Sequence, residues 1–89
     1  MSGRYGGTLN GHRVELEFDT TLQVLNRARL YVDGQQADKV SVVYGEKDLS
    51  TTLPDGTAVV LRIHSGMAGE LTRAQMRRPD GSWVDLTDR

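Results

Sequence analysis

The side chains able to do chemistry here are two histidines, His12 and His64, twelve Asp and Glu carboxylates, and scattered hydroxyls; there is no cysteine. A thiolate nucleophile, a thiolate metal site and a disulfide are therefore excluded. The two histidines lack the spacing of a metal-ligand pair. No stretch follows the calcium-loop pattern of alternating acids and glycine. Glu15, Glu17 and Asp19 share one strand face, because side chains two apart along a strand point the same way. Paired with Arg27 and Arg29 of the next strand, they read as a neutralised face rather than an open cation site. His64-Ser65 sets a base beside a hydroxyl, yet adjacent strand residues point to opposite faces. No nucleophile elbow is present, and Gly6-Gly7 and Gly66 do not form a phosphate-loop pattern. The expectation is a non-enzymatic chain with no catalytic residue, no cofactor and no metal ligand.

Binding chemistry is better represented, on two candidate surfaces. Val60, Leu71 and Trp83 fall on the nominally outward side of late strands and would form an apolar partner surface. Arg27, Arg29 and Tyr31 share a face that interleaves cations with an aromatic ring, the pattern of single-strand or polyanion binders. The net charge of −1 weighs against nucleic acid as the main partner. Nine of the eleven basic residues are Arg, whose planar fork suits carboxylate and phosphate. The leading expectation is a protein-interaction or self-assembly module, with an unknown protein or a second copy as partner. The alternative is a weak single-stranded nucleic-acid or polyanion binder. No membrane partner is expected: the longest apolar run, 58–61, is far below the ~20 residues that span a bilayer. Residues 1–7 have no apolar leader segment, so the chain reads as cytoplasmic.

These surfaces need elements to carry them. A chain of 89 residues with turn signals about every ten residues suggests one all-β domain, 1–89. The expected fold is an antiparallel β-sandwich or flattened barrel of seven or eight strands, connected mainly as a meander. Its organising stretch is 12–34. Val14, Leu16 and Phe18 alternate with Arg13, Glu15 and Glu17; Ala28, Leu30 and Val32 alternate with Arg27, Arg29 and Tyr31. Two registers fit, placing Arg27 or Arg29 opposite Glu17, and Arg29 or Tyr31 opposite Glu15. Residues 20–25 connect the two strands. Asn10-Gly11 and Asp33-Gly34 are two-residue hairpin signals. Pro54-Asp55-Gly56 and Pro79-Asp80-Gly81 suit a type I turn followed by a glycine bulge.

Further strands are expected at 4–9, 37–44, 49–53, 57–64, 70–78 and 83–86. Residues 45–48 read as a turn and 87–89 as a frayed tail. In 70–78, Thr72, Ala74 and Met76 should point inward and Leu71, Arg73, Gln75 and Arg77 outward; a helix over 68–76 competes with this. The expected core is Val14, Leu16, Phe18, Ala28, Leu30, Val32, Val40, Val42, Val59, Leu61 and Ile63.

Val14-Glu15-Leu16-Glu17-Phe18, then Ala28-Arg29-Leu30-Tyr31-Val32-Asp33-Gly34 and the later Gly45-Glu46-Lys47, resemble a domain of the Fas apoptosis inhibitory molecule family. The similarity spans about a third of the chain. It implies an antiparallel β-sandwich without catalytic residues. Members of that family carry two such domains, and this chain has room for one.

Overall fold

The computed structural model describes residues 2–19, 26–42, 45–67 and 70–88. The expected connection at 20–25 and the end of the strand at 43–44 lie outside the described residues. The described residues form nine strands: β1 Ser2–Leu9, β2 His12–Asp19, β3 Asn26–Val32, β4 Gln35–Val42, β5 Gly45–Thr52, β6 Ala58–Ser65, β7 Leu71–Arg77, β8 Trp83–Asp85 and β9 Thr87–Asp88. They form two antiparallel sheets, β4-β3-β2-β1-β9 and β5-β6-β7-β8. The all-β, largely meander architecture agrees with the sequence reading, and β7 is a strand where a helix was the rival.

Period-two patterning drives this arrangement. Val14, Leu16, Phe18, Ala28, Leu30, Val59, Leu61 and Ile63 all lie at 3% exposure or less, facing inward between the sheets. Val42 is buried with them, while Val32 and Val40 are only half-buried against the same core. The core also takes in Leu9, Leu49, Leu53, Ala74, Met76 and Leu86. Burying one Leu or Ile side chain contributes roughly 1.5–3 kcal/mol, so this single layer supplies most of the folding drive.

Both two-residue hairpins form as expected. Asn10 and Gly11 have φ of 49° and 80°, and Asp33 and Gly34 have 51° and 85°, as a type I′ turn requires. The Pro-Asp-Gly turns close with paired bonds: Gly56 N to Leu53 O at 2.9 Å with Leu53 N to Thr57 O at 2.8 Å, and Gly81 N to Arg78 O at 2.9 Å with Arg78 N to Ser82 O at 2.7 Å.

Three expectations are corrected. Residues 45–48 are not a turn but the first half of β5, paired from Gly45 with Ser65 onward. Residues 87–88 are not frayed: after β8 the chain crosses to the other sheet, where Tyr5 pairs with Asp88 and Gly6 with Thr87. Leu86 sits at the crossing, 8% exposed, its N–H donating to Ala74 O at 2.9 Å. Finally, a bulge between His64 and Ser65 shifts the register against β7, so that Ser65 pairs with Leu71. Leu71 therefore turns toward the core, and Thr72, expected inward, is exposed. An extra residue in one strand reverses the facing of everything beyond it.

Candidate functional site

The outer face of the first sheet is a lattice of side chains whose rows follow from the register. Glu17 stands between Arg4 on β1 and Arg29 on β3, and Arg29 stands beside Lys39 on β4. The neighbouring rows run Gly6, Glu15, Tyr31, Gln36 and Asp19, Arg27, Ser41. Of the two registers compatible with the sequence, this is the one that sets Arg29 opposite Glu17 and Tyr31 opposite Glu15. Arg29 Nη1 donates to Glu17 Oε1 at 2.7 Å and lies 4.0 Å from Asp19 Oδ2. Arg4 reaches Glu17 at 3.4 Å and Glu15 at 3.9 Å. Such cross-strand pairs contribute about 0.2–1 kcal/mol each. Arg4 also lies over the Tyr31 ring, 4.7 Å from its centroid. Glu15 is only 7% exposed despite its place on the outer face.

The carboxylates are concentrated on β2, and the cations extend beyond them. The row Arg4, Glu17, Arg29, Lys39 holds one acid among three bases. Arg27 and Lys39 make no side-chain ion pair among the described residues. At this side the surface sinks into a groove of about 470 Å³ lined by Arg27, Arg29, Gln36, Lys39, Val40 and Ser41. Asp38, the acid of β4, pairs with Leu30 on the other face; its carboxylate accepts from Ser50 N at 3.0 Å and Lys39 N at 2.8 Å. Arg27 and Arg29, named from the sequence, thus meet here. Tyr31 does not line the groove, and Gln36, Lys39 and Ser41 were missed. Lys39 and Ser41 share one face of their strand by alternation, but only the pairing of β3 with β4 sets them beside Arg29 and Arg27.

The second sheet carries its own outer lattice. Asp48, Arg62, Gln75 and Asp85 form one row, and Glu46, His64 and Arg73 another. Arg62 grips Asp48 with two bonds, Nε to Oδ1 at 2.9 Å and Nη2 to Oδ2 at 3.1 Å. Those bonds, and then the guanidinium charge, hold the Asp48 carboxyl below its ordinary range against the opposing effect of burial; the same bonds raise Arg62. Arg62 also lies over the Trp83 ring, 4.6 Å from its centroid. Trp83 pairs with Arg77, and Arg77 and Val60 line a groove of about 480 Å³ with Thr57, Ala58, Arg78 and Pro79. Asp80 also lines it, but its carboxylate is bonded to Ser82 N and Oγ at 2.9 and 2.6 Å. Val60 and Trp83 therefore share the outer face, flanking Arg77. Leu71 does not join them: it packs on the core and lines a separate cleft with Tyr5, Ala74 and Leu86.

The histidines are kept apart. His12 Nδ1 lies 2.7 Å from Asp33 Oδ2, tying the start of β2 to the β3–β4 turn, while Asp33 Oδ1 accepts from Arg13 N at 3.0 Å. These two bonds hold the Asp33 carboxyl below its ordinary range. His64 lies on the second sheet, 3.6 Å from Glu46. Ser65, its neighbour, points to the opposite face and is buried. Among the described residues no group of three or more His, Asp or Glu side chains is placed to hold a metal ion, and no helix is long and apolar enough to cross a membrane. No family model, curated protein or solved structure matches this chain.

Proposed function

We propose that the protein is a non-enzymatic interaction module that binds an acidic, partly apolar segment of another protein through the groove at Val60. The observation that carries this is the composition of that groove: Ala58, Val60 and Pro79 line it together with Arg77 and Arg78. Arg77 makes no ion pair among the described residues, and Trp83 stands next to it in the ladder. An apolar side chain of the partner would sit on Val60, with a neighbouring carboxylate taken by the Arg77 fork. Arg and Trp are the residue types that most often dominate binding energy at interfaces.

A peptide library displayed on phage, selected on the wild-type protein and counter-selected on Val60→Glu, tests this. Selected peptides should place Asp or Glu beside an apolar residue. They should shift the amides of Ala58, Val60, Arg77 and Trp83, and lose affinity on Arg77→Glu. Peptides lacking acidic residues, or binding that ignores both substitutions, would overturn the reading. A concentration-dependent dimer in light scattering, abolished by Val60→Glu, would replace it with self-assembly.

A further inference from the structure

We infer that the groove between β3 and β4 is a second, independent binding site, and that it takes a chain of linked phosphate groups. Arg27 and Arg29 stand two residues apart on one face of β3, about 6.6 Å along the strand. Lys39 is the cross-strand partner of Arg29 and Ser41 that of Arg27, so two rows of donors face one concavity.

The donors are available. Arg27 and Lys39 have no carboxylate partner among the described residues. Arg29 commits Nη1 to Glu17 at 2.7 Å, and a guanidinium has five N–H donors in a fixed fork. Glu17 thus orients Arg29 while leaving Nε and Nη2 to a ligand. Ser41 and Gln36 add neutral donors to the same wall.

Ligand class follows from charge, size and what the surroundings forbid. Three cations on one groove call for a multiply charged anion. A phosphate presents more acceptor oxygens than a carboxylate, which suits a site with two Arg forks, an ammonium, a hydroxyl and an amide. The volume of about 470 Å³ falls in the range of small-ligand pockets. A nucleic-acid strand fits less well. Its bases need an aromatic ring on the wall they lie against, and Tyr31 does not line this groove. Its extended backbone would also run against the carboxylates of Glu15, Glu17 and Asp19 on β2. A compact oligophosphate needs no ring and meets Glu17 and Asp19 only where they hold Arg29.

Titration at low ionic strength in phosphate-free buffer, followed by amide shifts, uses inorganic tripolyphosphate, ATP and citrate as probes. The proposal expects tripolyphosphate and ATP to bind alike, shifting Arg27, Arg29, Lys39 and Ser41, and to weaken as salt is added. The double variant Arg27→Gln/Lys39→Gln, with both side chains exposed, should lose at least about tenfold in affinity with an unchanged unfolding midpoint. Arg77→Ala/Arg78→Ala should leave this binding intact, which separates the site from the groove at Val60. No binding of tripolyphosphate, binding indifferent to the double variant, binding of ATP alone, or citrate binding as tightly would each overturn it.

Discussion

Ser65 carries a buried hydroxyl with no hydrogen-bond partner among the described residues. An unsatisfied buried polar group costs about 1–3 kcal/mol. Ser65→Ala should therefore leave stability unchanged or raise it by up to about 1 kcal/mol in urea denaturation; a clear loss would mean that the hydroxyl is satisfied in solution. Asp80 has the opposite standing. Bonds from the Ser82 hydroxyl and N–H hold its carboxyl below the ordinary value of 3.8. A carboxyl whose folded-state pKa is depressed contributes stability above its unfolded value and loses it as pH falls through the folded one. Asp80→Ala should thus lower the melting temperature by a constant amount at neutral pH, with the gap to wild type closing below pH 3.8. A gap that persists in strong acid would show that the side chain acts through something other than its charge.

At the scale of elements, the turns and bulges decide what each strand presents. Gly34 has φ of 85° and open space where a Cβ would project. Replacing it by Ala meets no neighbour, so the cost is that of the left-handed backbone alone. Gly34→Ala should destabilise by about 1 kcal/mol, measured by chemical denaturation; a cost several times larger would mean that the β3–β4 turn touches something else. The edge strand β4 shows two devices that oppose pairing with another chain: a register shift next to Tyr31, and the charged Lys39. Bulges and edge lysines are common protections against sheet extension. The lysine that blocks strand addition is also a wall of the proposed phosphate groove.

For the molecule as a whole, the decisive joint is Leu86, where the chain leaves one sheet and joins the other. A Cβ on Gly7 would stand 3.3 Å from both Leu86 Cδ2 and Met76 Cε, so the glycine allows these side chains to pack down onto β1. Beyond the joint, Thr87 Oγ1 donates to Gly6 O at 3.2 Å and β9 covers part of the β1 edge. Leu86→Ala should cost about 2–5 kcal/mol, the usual range for a buried leucine, read as a drop in the urea midpoint. Truncation after Asp85 should be at least as damaging. If both changes left the midpoint unmoved, the tail would not be part of the sandwich.

What the amino-acid sequence determined by itself is local. Alternation at 12–18 and 27–32 dictates which residues face the core, because a strand reverses its side-chain direction at every residue. Asn10-Gly11 and Asp33-Gly34 specify their turns because those positions need positive φ. That an arginine of 27–32 stands opposite Glu17 follows from the alternation; that it is Arg29 was decided by the pairing of β2 with β3. What the tertiary structure decided depends on where strands end and on which sheet they join. One bulge at His64/Ser65 moved Leu71 off the surface assigned to it and exposed Thr72. Packing between sheets, not local pattern, made β9 from an apparently loose tail. The two grooves arise where strands of different sequence position lie side by side: Lys39 beside Arg29, and Val60 near Arg77. Their chemistry was written in the residues, but their convergence required long-range pairings that no local period encodes.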